Sequence, residues 1–165
     1  MELDLLFPAP GHDHRRCVAK AMSAADELCD ARGARLTALR RQVLELIWSN
    51  HEPVGAYDIL ERLSAEGRRM APMTVYRALD FLTEQGLVHR LASRNAFVGC
   101  DHPRGDGHDG QFLICTACGR VAEIHDRDIS RAIVDGAARS GFHVANPVVE
   151  VEGLCSGCRV KTADA

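Results

Sequence analysis

Two pairs of cysteines stand at the spacing typical of metal-binding turns. The segments FLICTACGR (112–120) and GLCSGC (153–158) contain Cys115 with Cys118 and Cys155 with Cys158, with two residues between the members of each pair. Two such turns direct four thiolates at one ion in the tetrahedral geometry of structural zinc. A redox pair needs only one such motif, at the start of a helix, whereas a strand is expected after the first pair and a tail after the second. The spacing therefore predicts a four-cysteine zinc site in preference to a redox pair or disulfide bonds.

A second potential metal site begins on a predicted β-hairpin. In the register that pairs Leu91 with Ala96, His89 opposes Val98, and Cys100 is its diagonal neighbour on the same face. Imidazole, thiolate and carboxylate groups can together bind zinc. A strand histidine or cysteine is as readily a packed core residue, so the spacing leaves both interpretations open. The side chains that could complete the set lie further along the chain: His108 in a polar loop, His102 as its alternative, and Glu123 on the strand after the first cysteine pair.

The first half of the chain has the periodicity of helices followed by that hairpin. Apolar stripes bounded by glycine, proline and a capping Thr37 predict helices at 19–31, 38–50, 55–67 and 71–86, and short apolar runs predict strands at 87–91 and 96–100. Residues 31–94 carry ten arginines and seven acidic residues, a net charge of +3 in a chain of net charge −3. Three helices followed by a hairpin in a basic segment are typical of a winged helix–turn–helix, whose last helix enters the DNA major groove.

The second half of the chain predicts a β-β-α-β unit. Strands at 111–115 and 120–124, a helix at 128–141 and a strand at 143–153 follow a glycine-rich polar loop. A unit this small is expected to need a metal ion or a partner subunit for stability. The predicted fold class is therefore α+β, a winged helix–turn–helix followed by a small α/β domain. Its predicted parts are a flexible N-terminal arm at 1–18, a DNA-binding domain at 19–100, a linker at 101–110, a metal-binding domain at 111–160 and a tail at 161–165.

The N-terminus and the composition bear on location. No run of about 18 apolar residues is present, so no membrane span is expected. The first residues, MELDLLFPAPGHDHRRC, are acidic and broken by prolines, unlike a signal peptide, which predicts a cytoplasmic protein. Within them His12, His14 and Cys17 could form an extra metal site, but the flanking prolines favour an unstructured arm.

At these residues the chain resembles the ferric uptake regulator family, and within it the zinc uptake regulators. The resemblance covers about residues 20 to 160 and rests on the segments RLTALRRQVLELI (35–47), AYDILERL (56–63), TVYRALDFLTEQGLVHR (74–90), NAFVGC (95–100), HDGQFLICTACGRVAEI (108–124) and GLCSGC (153–158).

The resemblance implies a homodimeric, zinc-dependent transcriptional repressor that binds operator DNA of zinc-homeostasis genes and has no catalytic residue and no small-molecule substrate. It implies that the domain at 111–160 forms the dimer. It also implies two Zn²⁺ per chain, a structural ion on the four cysteines and a regulatory ion on His89, Cys100, His108 and Glu123. The recognition helix aligns with 73–85, and the implied DNA-contacting residues are Arg77, Thr74, Tyr76 and, on the preceding helix, Tyr57.

Three other functions are compatible with parts of the sequence. Iron-sensing members of the family usually carry a His-His-Asp-His run where this chain reads HDGQF (108–112), and the added Cys100 is a softer ligand that favours zinc over ferrous iron. An iron or peroxide sensor of the same family is the nearest alternative. A zinc hydrolase would keep one coordination position for water, and neither its HExxH motif nor the deaminase pattern occurs. A zinc-ribbon interaction module without DNA binding is the third.

Overall fold

The chain forms two compact units. The structure, a computed structural model, describes residues 7, 13–49, 51–65, 67, 70–103 and 109–163. One unit lies within residues 8–106 and the other contains residues 107–165, and they are named here the winged unit and the sheet unit. None of the helices in the described ranges combines the length and apolarity that crossing a lipid bilayer would require.

Four helices open the winged unit: α1 (His14–Ala31), α2 (Ala38–Trp48), α3 (Ala56–Ala65) and α4 (Pro72–Glu84). Helix α1 begins five residues before the predicted 19–31 helix, so residues 14–18 are helical where a flexible arm was expected. The reason is Asp13, whose side chain accepts a hydrogen bond from the Arg15 N–H and caps the helix. Thr37 caps α2 as predicted, and Pro72 occupies the first turn of α4.

One apolar core joins these helices, because each helix turns its stripe inward. The fully buried side chains include Val43 and Leu44 on α2, Ile59 on α3 and Leu79 on α4. Three arginines fasten the outside of this bundle. Arg41 pairs with Asp26, and the two others contact positions on or next to α4: the Arg40 guanidinium stacks on Phe81 with 3.5 Å to the ring centroid, and Arg32 donates to the Gln85 side chain at 3.1 Å.

The wing is an antiparallel hairpin of β1 (Val88–Leu91) and β2 (Ala96–Gly99). The predicted register is confirmed, since Leu91 pairs with Ala96 and His89 with Val98. Val54 extends the hairpin through two backbone hydrogen bonds of 2.9 Å with Phe97. The wing thereby joins the segment before α3 as well as the chain leaving α4.

The sheet unit has three strands, in the order β4 (Val121–Ile124), β3 (Gly110–Cys115) and β5 (Val148–Gly153). β3 pairs antiparallel with β4 and parallel with β5, and α5 (Arg127–Arg139) connects the outer strands. The predicted β-β-α-β order and α+β class are confirmed. Beyond β5, residues Ser156–Ala163 form a further helix, α6, which the sequence did not predict and which extends into the tail expected at 161–165.

A buried glutamine fixes α5 to the sheet. The Gln111 amide nitrogen donates to the Asp126 carbonyl and to the Ser130 hydroxyl, both at 2.8 Å. The Asp126 backbone N–H donates back to Gln111 Oε1 at 3.2 Å. Because the Asp126 carboxylate also caps α5, this network sets where the helix starts relative to β3.

We expect Gly99→Ala to destabilise the winged unit by about 1–3 kcal/mol, the usual cost of overpacking. A Cβ at Gly99 would lie 2.2 Å from Cε2 of Trp48, so the indole or the strand would have to shift. The measurement is urea unfolding followed by far-UV circular dichroism.

Gly136→Ala is the matched control for this prediction. Its Cβ would meet only the Arg139 guanidinium at 3.6 Å, an ordinary contact, and alanine is the better helix former within α5. An unfolding midpoint for Gly99→Ala equal to that of the parent protein would contradict the predicted steric conflict.

Candidate metal centres and nucleic-acid interface

The four cysteines of the two pairs lie together at one edge of the sheet. β3 ends at Cys115 and β5 ends at Gly153, and these residues are partners in the parallel ladder. Because adjacent parallel strands end at the same edge, the turns that follow them meet there. Each cysteine has a sulfur within 4.8 Å of the other three, and the sulfurs of Cys118 and Cys155 are 3.9 Å apart. Zinc–sulfur bonds of about 2.3 Å in a tetrahedron place sulfurs about 3.8 Å apart, so the cluster fits this ion.

Backbone N–H groups point at the sulfur of Cys115. Burial raises the pKa of this thiol, but hydrogen bonds from the N–H groups of Cys155, Cys118 and Ala117 outweigh burial and lower its pKa to about 6. The first of these bonds measures 3.4 Å. Hydrogen bonds to the Cys155 sulfur, burial and the neighbouring sulfurs instead raise the pKa of Cys158 to about 12. Backbone donors thus favour the thiolate of Cys115, whereas the neighbouring sulfurs disfavour that of Cys158.

Cys118 has a charged hydrogen-bond donor of its own. Burial raises its pKa, yet hydrogen bonds from the side chain and backbone of Arg120 lower it overall. The Arg120 Nε–H donates to the Cys118 sulfur at 3.4 Å. The CxxC spacing does not predict this contact. The available sequence signal is that Arg120 directly follows Gly119, which adopts a positive φ of +74° in the structure.

The second cysteine pair lies at the start of a helix, where the sequence predicted a turn at the end of a strand. Cys155 directly precedes α6 and Cys158 lies in its first turn. A helix N-terminus also favours a redox-active thiolate. Two other sulfurs within 4.8 Å distinguish this cluster from an isolated redox pair, since four converging donors match a metal ion.

His89 and Cys100 meet on one face of the wing. The confirmed register makes them diagonal neighbours, and the Cys100 N–H donates to the Leu87 carbonyl at 3.0 Å, which fixes the cysteine just beyond β2. A nitrogen of His89 and the sulfur of Cys100 lie within 4.8 Å of each other. Cys100 is buried and His89 half-buried, so the pair offers a nitrogen and a sulfur ligand in a largely dry location.

The remaining predicted ligands are distributed as follows. Glu123 belongs to the sheet unit, where it is a buried carboxylate on β4 opposite Phe112. His102 lies in the winged unit as an exposed residue two positions after Cys100. His108 lies outside the described residues.

Helix α1 contains two of the three residues considered as an N-terminal metal site, His14 and Cys17. His12 lies outside the described residues, and Cys17 is half-buried in the first turns of the helix. His14 instead contacts His51, with ring centroids 4.9 Å apart and ring planes tilted by 37°.

Helix α4 presents the features expected of a recognition helix. Thr74 and Arg77 are exposed and one turn apart, so they share a face. Met73, 62% exposed, lies on that face four residues before Arg77; helical spacing would have identified it as lying off the apolar stripe. Asp80 is exposed in the third turn of α4, and its negative charge restricts favourable contact with phosphates to the first two turns.

The two tyrosines predicted to contact DNA differ in environment. Tyr57 on α3 is 70% exposed and available to a ligand. Tyr76 is half-buried and packs against the core of the winged unit, so part of its side chain holds α4 in place. The arginines also differ in environment. Arg32, Arg40 and Arg41 contact other residues of the helix bundle, whereas Arg77 is exposed on α4.

Comparison with known proteins identifies the family. The sequence model of the Ferric uptake regulator family matches residues 31–152. Over 137 residues the chain is 37% identical to the Zinc uptake regulation protein of Escherichia coli (strain K12), which covers 83% of this chain and 80% of that protein. It is 27% identical over 130 residues to the Ferric uptake regulation protein of Neisseria meningitidis serogroup B, covering 78% of this chain and 89% of that protein.

Solved structures agree with this result. The crystal structure of holo XcZur has a TM-score of 0.79 and 41% identity, covering 87% of this chain and 99% of that one. A zinc uptake regulator complexed with zinc and DNA has a TM-score of 0.82 and 36% identity, covering 88% of this chain and 97% of that one. With a family match over residues 31–152, well over half of its length, the chain belongs to the ferric uptake regulator family.

Proposed function

We propose that this protein is a zinc-responsive transcriptional repressor, whose zinc-loaded dimer binds operator DNA of zinc-uptake and zinc-homeostasis genes in the cytoplasm. The observation that carries the proposal is its similarity, over most of its length, to a zinc uptake regulation protein. Family members regulate transcription, which argues against the hydrolase alternative. The metal clusters and the exposed face of α4 supply the chemistry that this function needs.

The first zinc ion binds Cys115, Cys118, Cys155 and Cys158. Four thiolates leave no position for water, so the ion is structural. It ties the end of β3 to the start of α6 and thereby closes a sheet unit that is small for its own stability. Binding free energies of about 10–16 kcal/mol for such sites become folding free energy.

The second zinc ion binds His89, Cys100, His108 and Glu123 and is the regulatory one. The proximity of the first two on the wing supports this assignment. Zinc suits a nitrogen, sulfur and oxygen set that includes a thiolate better than ferrous iron does, which favours zinc over iron sensing. In this mechanism zinc binding shifts a conformational equilibrium of the dimer toward states in which the two recognition helices match the spacing of successive major grooves. A shift of that equilibrium from 1:99 to 99:1 needs about 5.5 kcal/mol, which a four-ligand zinc site can provide.

The sheet unit supplies a surface for the second copy of the chain. No residue of α5 is buried, although the helix carries Ile129, Ile133 and Val134. β5 is an edge strand, and its apolar Val148 and Val151 are about half exposed. Apolar side chains on a helix and an edge strand are the features that subunit association covers.

We expect Cys100→Ser to keep the dimer but to lose zinc-dependent operator binding, because the regulatory ion would lose its thiolate. The measurement is metal analysis together with binding, across a free-zinc titration, to an operator selected from random-sequence DNA by the zinc-loaded protein. The parent protein should hold two zinc ions per chain, one tight and one that tracks DNA affinity.

Cys17→Ser is the control for that experiment, since this half-buried cysteine of α1 belongs to neither proposed ligand set. Zinc-responsive binding of full strength by Cys100→Ser would refute the regulatory assignment. A parent protein that responds to ferrous iron and not to zinc would favour the iron-sensing alternative.

Cys118→Ser is predicted to yield misfolded or monomeric protein, because three thiolates hold the structural ion too weakly to close the sheet unit. Zinc content and size-exclusion chromatography with light scattering test this. A folded dimer with one zinc ion fewer would show that the four-cysteine site is not structural.

Replacing Arg77 with alanine should weaken specific operator binding by about 1–3 kcal/mol and leave zinc affinity unchanged, because its exposed guanidinium on α4 would contact base edges. Arg77→Lys is the matched variant, which keeps the charge without the planar fork. It should retain binding to non-specific DNA and still lose discrimination among operators. Unchanged operator affinity in both variants would place base recognition elsewhere on the winged unit.

A further inference from the structure

Arg120 makes a contact that the zinc ligand set does not require. Its Nε–H donates to the Cys118 sulfur at 3.4 Å, and the side chain is half-buried beside the cluster. The other cations near the second cysteine pair, Arg159 and Lys161, are exposed. Arg120 is thus a charged donor held against a ligand of the proposed structural ion.

The backbone fixes the position from which this side chain extends. The Cys115 N–H donates to the Arg120 carbonyl at 2.9 Å, and the Gly119 N–H donates to the Cys115 carbonyl at 2.9 Å. With the left-handed conformation of Gly119, these bonds define the turn between β3 and β4. The guanidinium is therefore directed at the sulfur by the same turn that positions the first cysteine pair.

The contact between Arg120 and Cys118 offsets part of the negative charge that a zinc–thiolate cluster would carry. Four thiolates around a divalent ion carry a net charge of about −2. Such a charge in a partly buried place is unfavourable unless donors or cations offset it. A backbone N–H, that of Cys155, donates to the Cys115 sulfur, whereas the Cys118 sulfur accepts a hydrogen bond from the positively charged guanidinium of Arg120.

We propose that Arg120 is a positioning residue of the four-cysteine site, one that strengthens zinc binding by donating a charged hydrogen bond to the Cys118 thiolate and offsetting the negative charge of the metal–thiolate cluster. The inference rests on the proposed structural zinc ion. It adds a residue outside the ligand set whose loss weakens the site while all four sulfurs remain.

The test compares the full-length protein with its Arg120→Ala, Arg120→Lys and Arg127→Ala variants. Zinc affinity at the tighter site is measured by competition with a chromophoric chelator. Arg120→Ala should bind zinc about 10–100-fold more weakly, the usual effect of removing a hydrogen bond from a metal ligand. Arg120→Lys should recover part of the affinity because it keeps the charge. Arg127→Ala, which removes an exposed cation at the start of α5, should match the parent protein.

A second readout separates this role from a loss of fold stability. With cobalt(II) at saturation, the thiolate-to-metal charge-transfer band reports the electron density on sulfur. Loss of the N–H···S bond should move the band of Arg120→Ala to lower energy, and loss of fold stability alone would leave the band in place.

The outcomes are distinct. Parent-like affinity and band position in Arg120→Ala would overturn the inference, as would an equal loss of affinity in Arg127→Ala. A parent protein that holds no tight zinc ion and gives no charge-transfer band would instead refute the proposed structural site itself.

Discussion

The convergence of four sulfur atoms at one edge of a three-stranded sheet is the constraint on which the rest of the molecule depends. Sulfurs within 4.8 Å of one another cannot all carry a negative charge unless a cation lies among them. The parallel pairing of β3 with β5 brings the turns together, and hydrogen bonds from backbone N–H groups prepare the first thiolate. In the proposed function, metal coordination there gives a small α/β unit the stability that its modest core does not provide.

Much of the fold could be predicted because local signals and tertiary packing agree. The apolar stripes of α2, α3 and α4 face one core, and the wing register follows from alternation across a short turn. The start of α1 was missed because the prolines at 8 and 10 suggested disorder, whereas a single carboxylate, Asp13, caps the helix after them. Helix α6 was missed because SGCRVKTA has little amphipathic pattern; it is joined to the cysteine turn through the Arg159 N–H, which donates to the Cys155 carbonyl at 2.9 Å.

The candidate sites show where sequence spacing stops being informative. Spacing finds pairs of cysteines because one turn sets their geometry, but it cannot give the pairing of β3 with β5, which depends on a crossover through α5. It also cannot find Arg120, since a contact between a side chain and a sulfur depends on the local turn. Net charge was a similarly coarse guide to the nucleic-acid interface: three arginines of the basic segment fasten the helix bundle, whereas the exposed face of α4 combines Arg77 with Asp80.

The close approach of Trp48 to Gly99 gives the protein a built-in optical reporter. Trp48 is the only tryptophan in the chain, and its indole lies against the backbone of the residue that precedes Cys100. Indole emission responds to changes in polarity and quenching within a few ångströms. Binding of the proposed regulatory ion to Cys100 would therefore alter the emission of an intrinsic fluorophore in the same unit, and occupancy of that site would be readable in unlabelled protein.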